Sequence, residues 1–123
     1  MAAPNLNNPT SVVGKTTYLA LGSTSETDLL TNASASGKCL RVKTIILANV
    51  DGTNAVDATL KIYNAATSGT GYSLVSTVSV PADSSVVAIG SDNSVYLEED
   101  RRITVTASAA SDLEVVCSYE EVS

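Results

Sequence analysis

From residue 12 onward the chain alternates between short runs rich in Val, Leu, Ile and Thr and breaks rich in Gly, Ser, Asn, Asp and Pro. Such runs suit strands, because β-branched side chains fit a pleated surface. The runs are Val12 to Leu21, Thr27 to Thr31, Cys39 to Asn49, Ala58 to Tyr63, Tyr72 to Val80, Ser85 to Ile89, Val95 to Leu97, Ile103 to Ala107 and Leu113 to Tyr119. Breaks at Gly22–Ser25, Asp51–Asn54, Pro81–Asp83 and Gly90–Asn93 carry turn chemistry. No helical stripe of useful length competes; Thr24 to Leu30 is the one stretch that also reads as a helical turn. Turn signals recurring every ~8–15 residues mark a sandwich or barrel. We expect an all-β, single-domain antiparallel β-sandwich, jelly-roll-like, with eight or nine short strands over residues 12–123.

Two details sharpen that expectation. In the most apolar run the phase moves from Leu40/Val42 to Ile45/Leu47. That implies either a bulge near Thr44 or burial on both faces. Val42 and Val115 fall at inferred core positions. The 123 residues suffice for one core, but there is no Phe and no Trp, so Val, Leu, Ile and Ala must fill it. All five aromatics are Tyr; at least three are expected half-buried in the sheets, with Tyr72, beside the glycine-containing stretch Ala65–Gly71, the best exposed contact. That stretch reads as a flexible loop. Residues 1–11 read as an extended N-terminal arm, because Pro4 and Pro9 bracket Asn5, Asn7 and Asn8. Leu6 is the arm's bulky apolar anchor, so Pro4, Asn5, Leu6, Pro9 and Tyr72 are the candidate subunit-contact residues.

The chemistry-bearing residues exclude more than they suggest. Zero His removes the Ser-His-Asp and Cys-His nucleophile pairs and every His-based metal site. Gly37-Lys38 lacks both the upstream glycine and the following Ser or Thr of a phosphate loop, since Cys39 stands there. Glu98-Glu99-Asp100 are consecutive, which suits a solvated turn better than two carboxylates held across a cleft. No catalytic residue, cofactor or metal site is expected. Cys39 and Cys117 read as buried reduced thiols, or as a disulfide if their strands are neighbours. The net charge is −6, and the basic residues are scattered, with Lys38, Arg41 and Lys43 the largest group. Nucleic acid is therefore not an expected partner. The opening MAAPNLNNPTS has no basic or apolar region of a secretion signal, and no apolar run approaches a membrane span.

Several phrases carry a resemblance. MAAPNLNNPTSVVGKT, SGKCLRVKTIILANVDGTNAVDATLKIYNA, VSVPADSSVV and VYLEEDRRITVTASAASDLEVVCSYEEVS together resemble small virion structural proteins of marine tailed phages, especially cyanophages. Proteins of that group usually carry Gly in the turn after the Leu-Glu-Glu phrase, where this chain has Asp100-Arg101. The resemblance implies a head- or tail-associated β-sandwich located in the virion and assembled in the host cytoplasm. The leading expectation is a capsid decoration or cement protein, a homotrimer that binds the major capsid protein or another virion protein. The alternative is a tail, fibre or neck component of the same fold, such as a glycan-binding adhesin.

Overall fold

A computed structural model of the chain describes residues 3–123. It contains β1 (Val12–Ala20), β2 (Thr27–Asn32), β3 (Cys39–Asn49), β4 (Val56–Tyr63), β5 (Gly71–Val80), β6 (Ser85–Ile89), β7 (Val95–Leu97), β8 (Arg101–Ala107) and β9 (Leu113–Val122). A 3-10 turn at Ser91–Asn93 is the one helical piece among the described residues. Thr27–Asn32 is a strand, which resolves the ambiguity of that stretch.

The strands form two antiparallel sheets, ordered β1-β9-β3-β6 and β2-β8-β4-β5. β7 joins the first sheet through β3, pairing Leu40–Val42, while β6 pairs Ile45–Ala48 on the same side. β6 and β7 are thus one edge strand broken by the 3-10 turn. With those two merged, the order is that of a jelly roll. The chain is therefore a single-domain antiparallel β-sandwich.

The β3–β9 ladder sets the core. Its register shifts between Val42 and Thr44, so the chain has a bulge where the apolar phase changes. The bulge lets Leu40, Val42, Ile45 and Leu47 all face inward, and the last three are fully buried. Opposite them, Leu60, Ile103 and Val105 of the β4–β8 sheet are also fully buried. The centre is made of branched aliphatic side chains, with Tyr119 packed only at its margin.

Each end of the sandwich is clipped by a buried asparagine. At the end of β2, Asn32 Nδ2 donates to the carbonyls of Lys38 and Leu97, each at 2.9 Å. At the end of β3, Asn49 Nδ2 donates to Asn54 O and Val80 O at 2.9 Å, and its Oδ1 accepts from Asp51 N–H. Each amide ties a strand of one sheet to the end of a strand in the other. Buried polar groups persist only where partnered in this way.

The Ala65–Gly71 loop is tethered by side chains in and just before the neighbouring strand. Arg102 Nη1 donates to Ala65 O and Ser68 O at 2.9 Å, and Asp100 Oδ1 accepts from Ala66 N–H at 3.0 Å. The arginine supplies the donors that a polar loop otherwise draws from water. Asp100 itself takes φ of 59°, the left-handed region glycine adopts freely.

Val115 has no exposed surface, so Val115→Asp strands a charge in the core and should abolish the cooperative urea transition. Leu47→Ala should retain the fold and lose about 2–5 kcal/mol by the same measurement.

Candidate functional site

The two outer faces of the sandwich differ in chemistry. On the β4–β8 sheet several outward polar residues are bonded to one another. Glu26 accepts from the Tyr63 hydroxyl at 2.7 Å and from Thr104 Oγ1 at 2.6 Å. Those two hydrogen bonds hold its carboxyl below the usual carboxylate range. Arg102 stacks over the Tyr63 ring, 3.9 Å from its centroid, and its Nε lies 3.3 Å from Asp28. Gly71 is needed here, because a Cβ would come within 2.7 Å of the Tyr63 ring.

The β3–β9 sheet presents an apolar row instead. Tyr18 lies opposite Val116, Val116 opposite Ile46, and Ile46 opposite Val87. Paired residues share a face, so these four form a band across β1, β9, β3 and β6. Tyr18 is 75% exposed, Val87 61% and Val116 40%.

The leader lies at one end of this same face. It is bent, with Asn8 N–H donating to Asn5 O at 3.1 Å, so the arm carries a turn where an extended course was expected. Ser11 and Ser123 exchange backbone hydrogen bonds of 3.0 and 2.9 Å that fix its base. Pro4 and Leu6 line a shallow groove of about 450 Å³ with Lys38, Cys39, Tyr96 and Glu98. Pro9 borders an adjoining depression with Leu6, Arg41, Tyr96 and Glu120. Pro4 and Pro9 are half-buried, whereas Asn5 and Leu6 are exposed. Tyr72 stands apart, exposed on edge strand β5 and paired with Ile62. The structure therefore gathers Pro4, Leu6 and Pro9 over their own sheet and leaves Tyr72 elsewhere. Residues 1 and 2 of the expected arm lie outside the described residues.

Only two tyrosines, Tyr63 and Tyr119, are half-buried; Tyr18, Tyr72 and Tyr96 are all exposed. The expectation of at least three half-buried tyrosines is corrected. Periodicity placed Tyr18 in a strand but carried no signal for which face is covered. Tyr18, Val116 and Val87 are exposed apolar residues that the sequence reading did not single out. Apolar residues on both sides of these strands mark a departure from polar alternation without saying which side is bare.

The cysteines are too far apart to join. Cys39 lies opposite Val122 and Cys117 opposite Ile45. Along β9, residues 117 and 122 are roughly 17 Å apart, beyond the ~7 Å a disulfide spans. Both thiols are free and buried. Burial pushes the Cys117 thiol up to about 12, and burial with the nearby Glu98 charge raises that of Cys39. Neither thiol is activated as a nucleophile. Glu121 ties together β1, β9 and the approach to β3 through Lys15 at 3.1 Å and Lys38 at 3.0 Å. The two lysines hold its carboxyl below its ordinary range.

No protein-family model matches the chain, and no curated protein matches its sequence. Among solved structures the chain is similar to one described in the words "Bacillus endospore appendages form a novel family of disulfide-linked pili". The identity is 17% and the TM-score 0.55, over 100% of this chain and 97% of that one. That likeness supports the β-sandwich architecture.

Two outcomes test this geometry. Cys39 and Cys117 should resist an aromatic disulfide reagent at neutral pH and react fully in denaturant; rapid labelling of the folded protein contradicts the burial described. Because Glu121 is more acidic folded than unfolded, its ion pairs stabilise the protein at neutral pH. That contribution should fade as pH falls through the carboxylate range. Glu121→Gln should lower the melting temperature slightly at pH 7 and reduce its drop between neutral and acidic pH.

Proposed function

We propose that the protein is a structural component of a virion, a decoration protein that binds the head surface through protein–protein contacts as a homo-oligomer. The observation that carries this reading is the apolar row Tyr18–Val116–Ile46–Val87 on an otherwise pleated, solvent-facing sheet. Contiguous exposed apolar surface of this kind marks an association site more than a catalytic one. The groove beneath the leader contributes Lys38, Cys39 and Glu98, a set with no activated nucleophile. The phrases that resemble marine tailed-phage virion proteins supply the setting, with the major capsid protein or another virion protein as the proposed partner.

A tail, fibre or neck component of the same fold is the second reading. Exposed Tyr18 and Tyr96 on one sheet favour it, since rings at a surface also stack on sugars. A disulfide-linked filament of the kind formed by the Bacillus endospore pili fits this chain less well. Its two thiols are both enclosed.

Purified protein added to particles that lack it should co-sediment with the heads. A form without residues 1–11 should keep its β-sheet circular dichroism yet bind heads at least tenfold more weakly. Binding to host cells with none to heads supports the second reading. No binding to any particle part overturns both.

A further inference from the structure

The sandwich has four lateral edges, and three are blunted. β2 is only 6 residues long and shifts register between Asp28 and Leu30. β5 shifts register twice, and its Thr77 sits at φ 46°, a left-handed conformation foreign to a regular strand. β6 and β7 are separated by the 3-10 turn. Such breaks are how sheets avoid pairing with other chains. β1 has none of them. It runs 9 residues in unbroken register with β9, and among the described residues it pairs with no other strand.

The hydrogen-bond alternation shows which groups are free. Ser11 exchanges both bonds with Ser123, and Leu21 N–H donates to Leu113 O at 3.0 Å. Every second residue between them therefore points its amide and carbonyl toward β9. The residues in the other phase, Val12, Gly14, Thr16, Tyr18 and Ala20, point theirs outward.

We propose that β1 is a homotypic pairing edge whose occupant is β1 of a second copy, antiparallel, with Thr16 on the two-fold axis. In that register Val12 faces Ala20 and Gly14 faces Tyr18, so the outward amides of one copy meet those of the other. On the outer face the exposed Tyr18 ring covers Gly14, where open space surrounds the position of a Cβ. An aromatic ring across from an edge glycine is a stabilising pair. On the inner face the exposed Val13 meets Leu19, and Lys15 meets Thr17. Each Lys15 keeps its own Glu121 at 3.1 Å. Moving the axis to position 15 would set Lys15 against itself, a like-charge pair. The Thr16 register uses the full strand and avoids that.

The symmetry follows from the edges. An isologous edge closes as a dimer, whereas a three-fold ring built by strand addition needs two different open edges. The other edges here are blunted, so strand pairing favours two-fold association over the trimer expected from the sequence. The axis stands perpendicular to the sheet, which puts both apolar rows on one side of the pair. The pairing does not depend on the virion reading, and its test uses the purified chain alone.

The test is the mass of the full chain by sedimentation, with three variants. The unmodified protein should sediment as a dimer. Thr16→Lys places like charges on the axis, and Thr16→Pro removes an outward N–H without touching the β9 ladder; both should sediment as monomers with unchanged circular dichroism. Thr16→Cys lies at a hydrogen-bonded pair with Cα atoms about 5.5 Å apart, so mild oxidation should link two chains. Gly14→Cys should link only when mixed with Tyr18→Cys. A monomeric or trimeric unmodified protein overturns the proposal. So does a dimer that survives both Thr16→Lys and Thr16→Pro, or a Thr16→Cys form that stays unlinked.

Discussion

The pairing of β3 with β9 is the constraint on which the molecule depends. β1 hangs from one side of it and β6 with β7 from the other, so a slip in this ladder misplaces a whole sheet. A shift by one residue would turn Ile45 and Leu47 to solvent and Lys43 inward. The bulge between Val42 and Thr44 accommodates the change of phase in the most apolar run, allowing both halves of β3 to serve one core. With no Phe or Trp to fill space, that core relies on close interdigitation of small branched side chains. It is correspondingly intolerant of lost methyl groups.

The two outer faces differ in chemistry. On the β4–β8 sheet, Glu26, Tyr63, Thr104, Arg102 and Asp28 satisfy one another, and the arginine also closes the Ala65–Gly71 loop. On the β3–β9 sheet the outward band is apolar, its neighbouring edge is unpaired, and the leader bends over one end. Features suited to association are collected on one sheet.

The strand segments, the bulge and the buried Val42 and Val115 were legible because they follow from local period and phase. Register and neighbours were not. β1 and β9 lie at opposite ends of the sequence, and no local pattern states that Thr16 faces Ser118. Asn32 and Asn49 look like ordinary turn residues until three chain segments converge on each amide. Glu26 sits in a polar break, and its role depends on Tyr63 and Thr104 arriving from other strands. Of the candidate contact residues, Pro4, Leu6 and Pro9 border adjoining depressions on their own sheet, and Tyr72 lies elsewhere. Tyr18 was missed because alternation cannot tell a covered face from a bare one.

The order of strands also governs when the molecule can exist. Thr16 and Ser118 touch, yet 102 positions separate them along the chain. Glu26 waits 78 positions for Thr104. β8 and β9, each lying between two earlier strands, leave the ribosome after the strands they bridge. Until then β1 and β2 lack the strands they pair with, so neither sheet can be completed before β8 and β9 have emerged.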